Sequence, residues 1–321
     1  MIPRLRFACL PTPVEPLPRL SAALGGPRLW VKRDDQTGLA LGGNKARKLE
    51  FLLAEAQALG AKTLISVGAA QSNHCRQVAA AANRYGFDCI LVLNGDPQQA
   101  AAGNLLLDHL LGAEVIWTTR PAREAALKQA FADAWAAGRR PYLIPLGGSS
   151  GLGALGFEAA FHEMLAQEIA PDWIVVASSS GGTQAGLALG ARRAQWPGKV
   201  LGISIDEPRS DLQAMVAAIA NQAADQLNLP QRLTSAEILV NADYLGGGYG
   251  VLGQVEIEAI RLFARTEGLI LDPVYTARAA AGLVDLVRKG FFRPDETVLF
   301  WHTGGTPALF ATDYSRALAA D

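Results

Sequence analysis

Short runs of apolar, β-branched residues alternate along this chain with longer stretches whose apolar positions recur every three or four residues. Residues 63–67, 89–93, 115–117, 142–144, 173–177 and 200–205 are runs of the first kind. Uninterrupted apolar runs of this length predict strands buried on both faces, as in parallel sheets. Leu49, Leu52, Leu53 and Ala56 fall at i, i+3, i+4 and i+7, which predicts an amphipathic helix from Lys45 onward. Further helices are predicted from Ser72 to a stop at Gly86, and near 100–111, 121–137, 211–230, 254–267 and 277–289. Short strands are predicted at 29–32, 236–240 and 297–301, and the proline-rich lead at 11–18 reads as extended backbone. Strands alternating with helices of this length predict parallel sheets with helices on both faces. The glycine stretch 147–153 reads as a crossover between two βαβ series. The expectation is an α/β fold of two open lobes: a small domain at 45–149 and a large one from 1–44 plus 150–321.

Composition narrows the function. A net charge of -1 with no basic run argues against a nucleic-acid partner. No stretch approaches ~18 uninterrupted apolar residues, and the first residues lack the apolar segment of a signal peptide. Cys9, Cys75 and Cys89 are odd in number and lack metal-type spacing, which points to a reducing cytoplasm. His74, His109, His162 and His302 are scattered, so no metal site is expected.

The glycine clusters carry the candidate chemistry. In Gly42-Gly43-Asn44-Lys45, a tight turn precedes a helix, with Asn44 as its expected cap and Lys45 in its first turn. The helix dipole and the neighbouring Arg47 and Lys48 all disfavour an ammonium there, so a lowered pKa is expected at Lys45. A lysine held partly neutral is a nucleophile suited to forming an imine with a carbonyl cofactor. Taken alone, however, a lysine beside a glycine turn is usually only a surface group. Ser178-Ser179-Ser180-Gly181-Gly182-Thr183 joins a strand to a helix start and offers N–H and O–H donors to a phosphate. Neither GxxxxGK[ST] nor GxGxxG is present, so a nucleotide is disfavoured, and a lone phosphate beside a nucleophilic lysine points to pyridoxal phosphate. Gln71-Ser72-Asn73-His74 lies at another strand-to-helix junction and suits a substrate carboxylate, although Ser72 taken alone reads more readily as an ordinary helix cap. Tyr249 and Tyr275 lie in loops, and Thr303 follows the last strand, where α/β folds place ligands. His302 reads equally as a core histidine, and Cys75 as helix packing.

The strings GGNKARKLEF, GAAQSNHCRQ, SSSGGTQAG, ARTEGLILDPVYTARAAAGL and HTGGTPALF occur in an order that resembles the D-cysteine desulfhydrase and aminocyclopropane-carboxylate deaminase family, from Pro11 to Phe310. The resemblance implies the tryptophan-synthase-β-like fold (fold type II), pyridoxal 5'-phosphate between two domains, and a homodimer. It implies further that Lys45 is the Schiff-base lysine and that Asn73 bonds the cofactor's phenolic oxygen. Ser180, Gly181, Gly182 and Thr183 would form the phosphate cup. Ser72, Asn73 and His74 would bind the substrate carboxylate, with Tyr249 and Tyr275 as active-site tyrosines.

The deaminase branch carries a glutamate after the DPVY tyrosine and a leucine in place of the HTGG threonine. This chain has Thr276 and Thr303 there, and QSNH rather than QSNQ. A carboxylate against the pyridine nitrogen keeps the ring protonated and strongly electron-withdrawing, as ring opening requires. A hydroxyl leaves that nitrogen largely unprotonated, which suits β-elimination. The expectation is a β-eliminating lyase acting on a small amino acid, D-cysteine first. L-Cysteate, then aminocyclopropane-carboxylate, are the alternative substrates, and a non-catalytic amino-acid or phosphate-binding protein is the alternative of another class.

Overall fold

In a computed structural model, the structure describes residues 2–319. The strands are β1 (Val14–Pro16), β2 (Arg28–Arg33), β3 (Thr63–Ala69), β4 (Asp88–Asn94), β5 (Glu114–Thr118), β6 (Pro141–Leu143), β7 (Trp173–Ser178), β8 (Lys199–Ser204), β9 (Leu239–Asn241) and β10 (Thr297–His302). The helices are α1 (Pro18–Leu24), α2 (Lys45–Ala58), α3 (Asn73–Tyr85), α4 (Gly103–Leu110), α5 (Arg123–Ala136), α6 (Gly151–Leu165), α7 (Gly182–Arg193), α8 (Arg209–Gln226), α9 (Gln254–Glu267), α10 (Thr276–Arg288) and α11 (Thr312–Ala319). They build two parallel-sheet domains. One sheet has the order β1-β2-β10-β7-β8-β9, parallel except at its β1 edge, and the other has the order β5-β4-β3-β6, parallel throughout.

The two-residue period of a strand explains why both faces of each sheet are apolar. In the larger sheet Val175, Val298 and Phe300 face Phe263 and Leu283 of α9 and α10. The alternate residues Ile174, Val176, Leu299 and Trp301 face Phe157, Phe161 and Leu187 of α6 and α7. In the smaller sheet Leu64, Leu91 and Leu93 meet α2 and α3, while Ile65, Val67, Ile90 and Val92 meet α5. Helix α2 serves both bodies: Leu49 and Leu53 join the core of the smaller sheet, and Phe51 packs with Leu155 of α6. Gly156 makes this possible, because a Cβ there would run into the backbone of Arg47.

Three local expectations change. The strand expected at 236–240 begins only at Leu239, because Glu237 accepts from both the backbone N–H and the hydroxyl of Thr234 and closes a 3₁₀ turn over Ser235–Glu237. The helix expected from 100 starts at Gly103, where Gln71 takes over the terminal groups: its Nε2 donates to Ala102 O and its Oε1 accepts from Asn104 N. Helix α1 begins on Pro18, the last residue of the lead that reads as extended, at a position where a missing N–H costs nothing. Among the described residues, no helix is long and apolar enough to cross a membrane and no cluster of metal-ligating side chains occurs.

Candidate active site

The carboxyl ends of β3, β5, β7, β8 and β10 open onto one cavity of about 530 Å³, the place where parallel α/β sheets take ligands. Lys45, Ser72, Asn73, His74, Ser180, Gly181, Thr183, Tyr249, Tyr275 and Thr303 all line it. Gly182 lies behind that wall, its N–H shared between Ser180 O at 3.0 Å and Ser149 Oγ at 3.2 Å.

Lys45 opens α2 at the cavity wall. Burial pulls its ammonium down to about 8, against the opposing charge of Asp272. Part of its surface still faces the cavity, so water in the cavity softens that desolvation. The neutral amine therefore grows with pH and reaches half near 8, where an ordinary lysine needs ~10.4. The rate at which borohydride traps a small aldehyde on Lys45 is expected to rise and level off above that point. A rate still climbing at pH 10 would contradict the shift.

The neighbours of Lys45 act differently from the sequence expectation. Arg47 is not part of its electrostatic setting. Two residues along a helix turn the side chain ~200° away, and its guanidinium is consumed by Asp34 at 2.8 Å and Glu163 at 2.9 Å. Lys48 stands one turn from Lys45 and does face it. Burial first, then Lys45, holds Lys48 well below its ordinary value, while its Nζ donates to Gly147 O and Ser149 Oγ. Asn44 does not cap α2 with its side chain. Its Nδ2 instead donates to Thr183 Oγ1 at 2.9 Å, tying the Lys45 turn to the start of α7.

That start suits an anion. Gly181, at φ +77°, sits in the left-handed region and brings no side chain to cap α7, so the first-turn N–H groups after Gly182 keep their positive field. Ser180 Oγ and Ser149 Oγ lie 2.8 Å apart beside it. Ser72 caps α3, accepting from Cys75 N at 3.2 Å, which leaves its own hydroxyl hydrogen to donate. His74 contacts Ser66 Oγ at 2.9 Å, and burial together with Lys45 and Lys48 keeps it neutral.

The tyrosine hydroxyls meet at 2.5 Å. Burial pushes Tyr249 up to about 12 and Tyr275 well above its ordinary value, so both carry their protons at neutral pH. Tyr275 is placed by the buried Asp272, whose carboxylate accepts from the N–H groups of Val274, Tyr275 and Thr276. Thr276 turns its hydroxyl to the same carboxylate at 2.7 Å, whereas Thr303 lines the cavity. His302 is a core histidine, its Nδ1 accepting from Gly304 N and its Nε2 facing Ile270 O. Cys75 and Cys89 are buried and their thiols raised, first by burial, so neither is a nucleophile.

Some lining residues escaped the sequence reading. Ser149 sits in the glycine stretch read only as a crossover. Arg120 and Asp206 follow β5 and β8 with no motif around them. They approach at 3.4 Å across the mouth, with the Arg120 guanidinium 5.7 Å from the Tyr249 ring and Ser179 donating to Asp206. Only the strand-end rule would have flagged that pair.

Known proteins of this shape share the arrangement of two sheets. The chain is 43% identical over 320 residues to D-cysteine desulfhydrase of Klebsiella pneumoniae subsp. pneumoniae, covering 96% of each chain. It superposes on a crystal structure described as an ACC deaminase homologue with a TM-score of 0.91 and 38% identity, over 99% of this chain and 95% of that one. The processed form of threonine deaminase isoform 2 from Solanum lycopersicum shares the fold, at 17% identity and a TM-score of 0.66 over 93% of this chain and 80% of that one. The family model for "Pyridoxal-phosphate dependent enzyme" matches residues 5–304. The chain therefore belongs to the pyridoxal-phosphate-dependent enzymes of fold type II, whose tryptophan-synthase-β-like architecture its two parallel sheets reproduce.

Proposed function

We propose that this enzyme is a β-eliminating lyase that converts D-cysteine and water to pyruvate, hydrogen sulfide and ammonia. The observation that carries the reading is the pair of threonines. Thr303 offers a hydroxyl to the cavity, and Thr276, where the deaminase branch has its glutamate, is spent on Asp272 inside the wall. The named activity of the Klebsiella relative agrees with it.

The residues present fit pyridoxal phosphate. The uncapped start of α7, with Ser180 and Thr183, suits the phosphate; Lys45, pulled toward neutrality, suits the aldehyde; and Asn73 and Thr303 suit the ring's oxygen and nitrogen. When bound, the cofactor supplies an electron sink for negative charge developing at the substrate's Cα. Lys45 Nζ removes the α-proton. Ser72 Oγ–H and the first turn of α3 hold the substrate carboxylate. The protonated tyrosine pair delivers a proton to the departing sulfur as the Cβ–S bond breaks.

This division of labour distinguishes leaving groups. Chloride departs without a proton, whereas sulfide gains from one. Tyr275→Phe is expected to lower kcat for D-cysteine by about 10²-fold and for β-chloro-D-alanine by less than about tenfold. Equal losses on both substrates would show that the pair does not act as the acid. A second reading, release of sulfite from L-cysteate, draws on Arg120 and Arg123 at the cavity rim, where a sulfonate would find positive charge. Pyruvate release from D-cysteine, L-cysteate and D-serine, each over a full saturation curve, separates the readings: a higher kcat/KM for L-cysteate would replace the first with the second. A homodimer in the cytoplasm belongs to the same proposal.

A further inference from the structure

Beneath Asn73 lies a buried polar chain that no part of the chemistry above uses. Arg76 and Asn104 are fully buried, and neither lines the cavity. Arg76 Nη1 donates to Asn104 Oδ1 at 2.6 Å, and Arg76 Nη2 donates to Gly42 O at 2.8 Å. A guanidinium only donates, so the oxygen of the Asn104 amide must face it. The Asn104 Nδ2 is thereby turned the other way, donating to Gln71 O at 2.9 Å and to Asn73 Oδ1 at 2.8 Å. Arg76 Nη1 reaches the same Asn73 oxygen at 3.3 Å. With its oxygen held by two donors, Asn73 has one orientation left: Nδ2 points away from them, on the side where a Cβ at Gly305, beside Thr303 and Gly304 of the cavity wall, would strike it.

We propose that Asn104, set by Arg76, is a positioning residue that fixes the polarity of the Asn73 amide, so that its N–H rather than its C=O is presented to the cofactor's phenolic oxygen. The inference rests on Asn73 being the donor to that oxygen. Arg76 is suited to the task because it stays charged: burial lowers it only to about 10, against the opposing charges of Asp108 and Asp272. Its second contact, on Gly42, links the turn before Lys45 to the start of α3, so one guanidinium registers both sides of the cofactor site.

Asn104→Asp is the sharp test. It keeps the acceptor for Arg76 at nearly the same size but replaces the donor to Asn73 with a second acceptor. The Asn73 amide is then expected to reverse and present its oxygen to the cofactor. The dissociation constant of pyridoxal phosphate from apo-protein, followed by visible absorbance and intrinsic fluorescence, is expected to rise on the order of tenfold, the scale of one lost hydrogen bond. The pH titration of the cofactor's visible band is expected to shift with it. In an Asn73→Ala background the same substitution is expected to change neither quantity. An equal loss in that background, or an unchanged dissociation constant in the single variant, would overturn the proposal. If Asn73→Ala alone leaves the dissociation constant unaltered, the assignment of Asn73 itself falls. Should Asn104→Asp not fold, Asn104→Ser removes the donor without adding charge, and the same cycle decides.

Discussion

Replacing Lys45 with alanine is expected to reduce turnover by roughly 10⁴-fold or more, because in the proposed mechanism it removes both the covalent anchor and the base for the α-proton. Borohydride reduction of the holoenzyme is expected to add cofactor mass to the peptide carrying Lys45 and to no other. Lys48 is the internal control: it is buried, and its Nζ is engaged by Gly147 O and Ser149 Oγ. Lys48→Ala is expected to retain the covalent label. In the apo-protein, where Lys45 is an ammonium held in an unfavourable place, its removal is not expected to lower the melting temperature. A Lys45→Ala protein that still carries reducible cofactor would end the assignment and place the imine on another lysine.

The largest stability effect is expected at Arg47. Its guanidinium makes paired contacts to Asp34, from Nε and Nη2 at 2.8 Å, and to Glu163, from Nη1 and Nη2 at 2.9 Å. Asp34 also accepts from Thr12 Oγ1 and Trp301 Nε1, and Glu163 from Lys32 Nζ. Burial works against a charged Glu163, yet Arg47 and Lys32 hold its carboxyl down to about 2. Arg47→Leu leaves two carboxylates in a dry site without their partner and is expected to cost about 3 to 5 kcal/mol, seen as a lower urea midpoint and a fall of several degrees in melting temperature. Because Asp34 follows β2, Glu163 lies in α6 and Trp301 in β10, the loss would loosen the base of α2 and the placement of Lys45 with it. A change below about 1 kcal/mol would mean that the network is a surface feature in effect.

Those two lysine neighbours show what a sequence yields and what it withholds. The strand and helix series was legible because burial leaves a period: Trp173 to Ala177 has no polar position, and Leu49, Leu53 and Ala56 keep a helical face. The loops were legible because parallel strands deliver them to one end of the sheet. The role of Arg47 was not, since its partners lie 13 and 116 residues away. Adjacency in sequence suggested that it acts on Lys45, while helix geometry sends it to the opposite side and leaves Lys48, three positions on, as the true neighbour. Asn104 was silent for the same reason: its meaning comes from Arg76 and Asn73, one element away, and its own surroundings read as an ordinary apolar helix. Asn44 reads as a cap because a capping residue and a donor to a residue 139 positions away look alike in one dimension.

The β-elimination proposed above, in preference to ring opening, rests on a hydroxyl at Thr303 with no carboxylate at position 276. Its most direct test is the ratio of two kcat/KM values in one preparation: pyruvate from D-cysteine and α-ketobutyrate from aminocyclopropane-carboxylate. D-Cysteine is expected to be favoured by more than about 10³-fold, the equivalent of ~4 kcal/mol in transition-state binding. A ratio near one, or α-ketobutyrate formed faster than pyruvate, would contradict it.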